Sequence, residues 1–164
     1  MPVPMERRTT LRRYRSSDLA EVVALWRSSK RKAFPYVQVQ QRYGLEDDTA
    51  HFRDVIAKEC DVWLAEDDGQ ILGLMALKGD LIDQLFVRID AQRRGIGAAL
   101  LKRARELSPS GLRAYTFQKN DAARAFFEKH GFRVTSTGRS PPPENEPDLE
   151  YTWLGGKERR TTHC

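Results

Sequence analysis

The stretch DAQRRGIGAALLKRA, residues 90–104, limits what this chain can become more than any other part of it. It follows the apolar run LFVRI. It leads into Ile96, Leu100, Leu101, Ala104 and Leu107, which recur at helical spacing and predict a helix over residues 95–108, ended by Pro109 and Gly111. A strand must therefore turn into a helix through Gly95 and Gly97. A helix start presents backbone N–H groups without intrahelical partners and the positive end of the macrodipole. Glycine lets an anion come close to that backbone. Read for function, the joint holds a phosphate. Read plainly, it is a tight turn beside solvated arginines.

Three phosphate-binding patterns compete here. GxxxxGK[ST] does not occur. GxGxxG fails because Leu100 stands where the third glycine belongs, and the next strand ends at Gln118 without a ribose-binding acid. The pattern Q/R-x-x-G-x-G/A is met in full by Gln92-Arg93-Arg94-Gly95-Ile96-Gly97.

The rest of the chain surrounds this unit with alternating elements. TLRRYRS predicts a first strand. SSDLAEVVALWRSS predicts a helix with an Asp18–Glu21 capping box and a stripe of Leu19, Val22, Val23 and Trp26. RKAFPYVQVQQRYGLE reads as a loop or broken helix around Pro35. DDTAHFRDVIAKEC reads as a second helix, with Phe52, Val55 and Ile56 inward. DVWLAEDDGQILGLMAL predicts a hairpin about Asp67-Asp68-Gly69-Gln70. DLIDQLFVRI is apolar on both faces, as a central strand covered on both sides would be. GLRAYTFQ, FRVTSTG and DLEYTWL predict further strands. NDAARAFFEKHGF predicts a short helix capped by Asn120 and closed by Gly131.

The order β-α-α-β-β-β-α-β-α-β-β implies one α/β (α+β) domain over residues 10–154. A leader at 1–9 and a polar tail at 155–164 complete the chain. With 164 residues, 40% hydrophobic and 31% charged, there is enough apolar material for one core. No run is long enough to span a bilayer and no signal-peptide core is present, so no membrane role is expected. Cys60 and Cys164 fit no metal spacing, and a reducing cytoplasm is the simplest location. The net charge of +5 favours anionic partners. Nucleic acid is not expected, because zinc spacing, RNP aromatics and a helix-turn-helix are all missing.

With both segments in place, LFVRIDAQRRGIGAALL followed by NDAARAFFEKHGF, the chain resembles the GNAT superfamily of acetyl-CoA-dependent N-acyltransferases. The resemblance covers about residues 10–154. It implies the GNAT fold, a mixed central sheet of six to seven strands with helices on both faces and splayed central strands that bind coenzyme A. Three departures stand out. Ile89 replaces the proline after the strand's valine, Arg93 replaces the loop's first glycine, and Phe127 replaces the tyrosine often assigned as general acid.

The resemblance implies a role for each matching residue. Backbone amides from Gln92 and Arg93 through Arg94, Gly95, Ile96 and Gly97 to Ala98 hold the pyrophosphate, and both arginines add contacts to phosphate oxygens. Leu85, Phe86 and Val87 bond the pantetheine arm through their backbone, as an added strand would. The Val87 N–H polarises the thioester carbonyl. Asn120, Phe126 and Phe127 complete the cofactor contacts. Phe34 and Tyr36 line the acceptor pocket, with Tyr43 beside them, and Glu150 is a second carboxylate near it.

Asp83 draws attention from the residues themselves. Strict alternation puts it on the face of Leu85 and Val87, with Gln84 opposite. A carboxylate buried there is costly unless paired or wetted, and a raised pKa would suit a base that deprotonates an ammonium. Asp83 is the preferred general base; a structural hydrogen bond or salt bridge to a nearby arginine is the plainer alternative. Tyr36, Tyr115 and Tyr151 are possible stand-ins for the missing phenol. His130 reads as a favourable dipole contact, and Lys30, Arg31 and Lys32 as a solvated cluster.

These readings predict an N-acetyltransferase that takes acetyl from acetyl-CoA to a primary amine in a ternary complex, without a metal. The amine belongs to a small molecule or a protein, and a homodimer is possible. The alternative is a coenzyme A-binding regulator without turnover, suggested by Phe127.

Overall fold

The computed structural model describes residues 9–37 and 42–155. Among the described residues, seven strands form one sheet in the order β1-β2-β3-β4-β5-β7-β6. They are β1 (Thr10–Arg13), β2 (Asp61–Asp67), β3 (Gln70–Lys78), β4 (Leu81–Val87), β5 (Leu112–Phe117), β6 (Arg133–Arg139) and β7 (Pro147–Trp153). Only β4 and β5 run parallel; every other neighbouring pair is antiparallel.

Helices cover both faces. One face carries α1 (Leu19–Ala33) and α2 (Leu45–His51), which continues through a π-helical turn, Phe52–Ile56, into α3 (Ala57–Glu59). The other carries α4 (Ile96–Leu107) and α5 (Asp121–Lys129). Alternation along β3 divides the core between them. Leu74 and Ala76 pack with Val22, Val23, Trp26, Phe52 and Ile56. Met75 and Leu77 pack with Ile96, Leu100, Leu101 and Phe127.

Local chemistry explains the main joints. The β2–β3 hairpin turns on Asp68 and Gly69, both at positive φ (51° and 78°), as a two-residue turn matched to strand twist requires. A Cβ at Gly73 would stand 3.0 Å from Ile96 Cγ2 and 3.2 Å from Leu100 Cδ1, so glycine lets α4 lie close on β3. Arg12 bonds Asp18 at 2.8 and 2.9 Å and Glu66 at 2.5 Å, tying β1 to β2 and to the start of α1.

Four expectations need correction. Asp18 and Glu21 do not form a capping box: Asp18 accepts from Arg12 and from the Arg15 N–H, while Glu21 accepts from the Ile71 N–H. α1 runs on through Ala33, so the irregular segment begins later than expected. Val55 is exposed, because the π turn rotates the apolar stripe away from it. Leu107, the last residue of α4, is exposed as well.

The feature that shapes the site is a bulge in β4. Ala76 pairs with Gln84 and Leu77 with Ile82, which leaves Asp83 as the extra residue. Alternation shifts there. Ile82 and Leu85 both join the core under α4 and α5, although they are three residues apart. Beyond the bulge, β4 leaves β5, and the two pair only at Leu81–Arg113 and Ile82–Ala114.

Candidate active site

The backbone of β4 is half free. The Arg88 N–H donates to Leu72 O at 2.7 Å, so ladder alternation turns the N–H groups of Phe86 and Gln84 toward β3. The N–H and C=O groups of Val87 and Leu85 then face the gap that β5 has left. Gln92 Nε2 donates to Val87 O at 3.4 Å, in keeping with that direction.

The loop after β4 ends in an open helix start. Arg93 and Gly95 are both left-handed, at φ 66° and 78°. No side chain caps α4, and its first helical bond runs from Ala99 N–H to Gly95 O at 3.0 Å. The N–H groups of Ile96, Gly97 and Ala98 therefore have no helical acceptor. A Cβ at Gly97 would lie 3.3 Å from Phe126 Cε2 and 3.7 Å from Val87 Cγ2, so this donor set sits beside the end of β4. It suits a diphosphate. Arg93 is exposed over it, at the position where the resemblance supplies glycine. Arg94 is engaged elsewhere, bonding Asp67 of the hairpin at 3.1 Å, so its expected phosphate contact is not preformed.

A cleft of about 980 Å³ follows the parted strands. Leu85 and Phe86 line it from β4, Thr116 and Phe117 from β5, Asn120 from the residue before α5 and Phe127 from α5. Asn120 caps α5 by accepting from the Ala123 N–H at 3.2 Å. Phe127 packs on Phe132 and Tyr151, with ring centroids 5.0 and 5.8 Å away. Phe126 lies outside it, against Gly97 and His130. Thr116 is 6% exposed and its Oγ1 has no hydrogen-bond partner among the described residues.

The mouth on the α1–α2 face carries the acidic groups. Asp83 lines it but is exposed, which corrects the expectation of a buried carboxylate. The bulge also sets it beside Gln84, not opposite: Gln84 Nε2 donates to Asp83 Oδ2 at 3.1 Å, and Gln84 Oε1 accepts from Trp26 Nε1 at 3.0 Å. Asp148 was not singled out from the sequence. It lines the cleft, and burial raises its pKa, so it meets the criterion first applied to Asp83. Asp48 is also new. It is 8% exposed and lies 3.5 Å from Arg27 and 3.9 Å from Lys30. Lys30 is not solvated: its side chain is 13% exposed, and Nζ sits 3.4 Å from the Trp26 ring centroid. Its place was legible, one helical turn after Trp26 on the same stripe.

Phe34 lines the cleft, bridging Phe86 at 6.1 Å and Phe117 at 4.9 Å. Tyr36 packs behind it, off the cleft wall, with its hydroxyl buried, without a partner among the described residues and pushed up to about 12 by desolvation. Glu150 is also off the wall. It accepts from Tyr115 at 2.8 Å and Thr135 at 2.9 Å, and those bonds hold its pKa down. Tyr151 is fully buried, with its hydroxyl on Arg124. None of the three tyrosines offers a free phenol to the cleft. His130 caps the C-terminus of α5, and burial, with Arg105 nearby, lowers its pKa. Positions 38–41 of the expected acceptor loop lie outside the described residues. Among the described residues, no helix is long and apolar enough to cross a membrane.

Known proteins share the family pattern and the fold. Residues 58–134 fit the family model described as an acetyltransferase (GNAT) domain. The chain is 33% identical over 131 residues to the peptidyl-lysine N-acetyltransferase YjaB of Salmonella typhimurium, covering 79% of this chain and 86% of that protein. The solution structure of apo-form YjaB from Escherichia coli superposes with a TM-score of 0.71 at 26% identity, covering 91% of this chain and 99% of that one. The PaiA N-acetyltransferase of Thermoplasma acidophilum, solved in complex with coenzyme A, shares the fold, with a TM-score of 0.62 at 15% identity over 89% of this chain and 99% of that one.

Proposed function

The chain belongs to the GNAT acetyltransferase family and is an acetyl-CoA-dependent N-acetyltransferase, and from that premise we propose that it acetylates the side-chain amine of a peptide lysine by direct attack in a ternary complex. The observation that carries this reading is the parting of β4 from β5 after Ile82–Ala114. It opens a cleft between a phosphate-ready helix start and an acidic, aromatic mouth. The relatives named as peptidyl-lysine N-acetyltransferases support the choice of acceptor.

Each part of the chain has a task in this reading. The amides from Arg93 to Ala98 hold the pyrophosphate, with Gln92 fixing the turn onto Val87. Val87 and Leu85 bond the pantetheine arm along the gap. Val87 lies beside Gly97, at the pyrophosphate end. Each strand residue advances about 3.3 Å, so the end of a long arm passes Val87 and reaches Leu85. Of these two inward N–H groups, Leu85 polarises the thioester carbonyl and Val87 stands behind it on the arm. Asp83 accepts the acceptor's proton through water, positioned by Gln84. Trp26, Phe34 and Tyr43 give an aliphatic stem apolar walls, while Asp47, Asp83 and Asp148 attract its ammonium. The reaction so described uses no metal.

The test is thiol release from acetyl-CoA with three acceptor sets: lysine peptides, lysine-free peptides with open N-termini, and small polyamines. Release that needs the lysine peptide, with acetyl located on the lysine, is expected. Transfer to small amines alone would overturn the peptide acceptor, and no release with any acceptor would overturn the reading.

A further inference from the structure

α1 runs along β4 where β5 has departed, and three side chains one turn apart face the cleft: Trp26, Lys30 and Phe34. Trp26 is bonded to Gln84, and the Phe34 ring rests against Phe86 and Phe117. Lys30 falls between them and lines the same cleft as Leu85, whose N–H faces the gap. Its Nζ lies 3.4 Å from the centroid of a ring whose N–H is itself 3.0 Å from Gln84. A primary amine of the chain thus stands where an acceptor amine must enter.

We propose that Lys30 is an internal acceptor: its side-chain amine stands in the acceptor cleft and takes the acetyl group from bound acetyl-CoA in cis. The inference rests on the reading of the cleft given above. The groups facing Lys30 are Trp26, Asp48, Arg27, Arg31 and Glu144. Burial lowers its pKa, against the opposing pull of Asp48 and Glu144, and so raises the share of neutral, nucleophilic amine.

In the step, the neutral Nζ attacks the thioester carbonyl carbon and the C–N bond forms. The C–S bond breaks and sulfur leaves with the bonding pair as the coenzyme A thiolate. The proton that nitrogen sheds passes through cleft water to that thiolate. Lys30 ends as a neutral amide and coenzyme A as a thiol. The amide no longer carries the charge that held Lys30 to Trp26 and Asp48.

The experiment incubates the full chain with isotope-labelled acetyl-CoA and no acceptor. The fragment between Glu21 and Glu46 is then sequenced by mass spectrometry. Label is expected on Lys30 well ahead of exposed Lys32 in the same fragment, with a rate constant independent of protein concentration. Excess unacetylated coenzyme A and the Gly95→Glu change should each suppress it. Labelling of Lys30 no faster than Lys32, a rate that climbs with protein concentration, or label that survives excess coenzyme A would each overturn the inference. Peptide-lysine assays run in parallel separate the two readings. Peptide transfer without label on Lys30 overturns this inference alone, whereas label on Lys30 without peptide transfer supports it and overturns the peptide acceptor.

Discussion

The indole N–H of Trp26 donates to Gln84 Oε1 at 3.0 Å, and that bond decides which way Gln84 points. An indole nitrogen can only donate, so the amide must turn its oxygen to Trp26 and its NH2 away. The NH2 then meets Asp83 Oδ2 at 3.1 Å. A buried tryptophan on α1 thereby orients an exposed carboxylate on β4, and the bulge puts that carboxylate within reach.

From this relation, Asp83→Asn should lower kcat by about a hundredfold or more, in the range expected of a lost general base, and leave the Kd for acetyl-CoA unchanged. Gln84→Met removes the positioning amide but not the carboxylate. Its kcat/KM should fall about tenfold, or ~1.4 kcal/mol, with KM for acetyl-CoA steady. Steady-state kinetics with calorimetric binding checks both. A normal kcat in Asp83→Asn would remove Asp83 from the mechanism.

Two carboxylates should respond to pH with opposite sign. Hydrogen bonding from Arg12 holds Asp18 below the usual carboxylate range. Its stabilising contribution is present above the unfolded value, about 3.9, and is lost as pH falls through the folded value. Asp18→Asn should cost about 2 kcal/mol at pH 7 and little in acid. Burial raises Asp148, so its contribution is complete below about 3.9 and is lost as pH rises through the folded value. Asp148→Asn should therefore raise Tm at pH 7, with the gain fading in acid. Thermal melts across pH 3–8 test both, and parallel curves for wild type and variant would contradict either assignment.

What could be read from the residues was local chemistry. DDG named its own turn because both central positions need positive φ, and Asn120 named its own cap. Gln92 to Gly97 showed the strand–loop–helix joint. What stayed hidden depends on partners. The bulge at Asp83 carries no glycine or proline to mark it. It appears only in the register against β3, and the assumption of unbroken alternation put Asp83 on the wrong face. The π turn misled in the same way at Val55. Asp148 gained its character from burial by segments distant in sequence, which charge counting could not supply.

Thr116 predicts a stability gain. Its hydroxyl is buried without a partner among the described residues, and such a group costs about 1–3 kcal/mol when left unmet. Thr116→Val keeps the β-branched shape that β5 favours and removes the hydroxyl. Tm should rise by about 2–4 °C for each kcal/mol regained. A fall in Tm would show that the hydroxyl is bonded in solution.

Arg93 holds the left-handed conformation at φ 66° without the freedom of glycine. Such a residue costs about 1–2 kcal/mol, part of which glycine gives back through its more mobile unfolded chain. Arg93→Gly should raise Tm slightly and tighten or preserve acetyl-CoA binding through the backbone. If affinity drops severalfold and becomes less salt-sensitive, the guanidinium itself contacts phosphate.

Gly95 separates charge from shape in the same loop. A Cβ there meets nothing within 4 Å, so the side chain has room, and only φ 78° resists it. Gly95→Ala should cost about 1 kcal/mol of stability and keep most of the coenzyme A affinity. Gly95→Glu pays a similar backbone cost but sets a carboxylate beside the N–H groups of Ile96, Gly97 and Ala98. It competes for those donors and repels a diphosphate, so affinity should drop by at least about a hundredfold, ~2.7 kcal/mol. Calorimetry on both variants, with circular dichroism to confirm that each is folded, decides the matter. Equal losses in the two would mean that backbone shape, and not charge at the helix start, governs binding. Retained affinity in Gly95→Glu would mean that the pyrophosphate lies elsewhere.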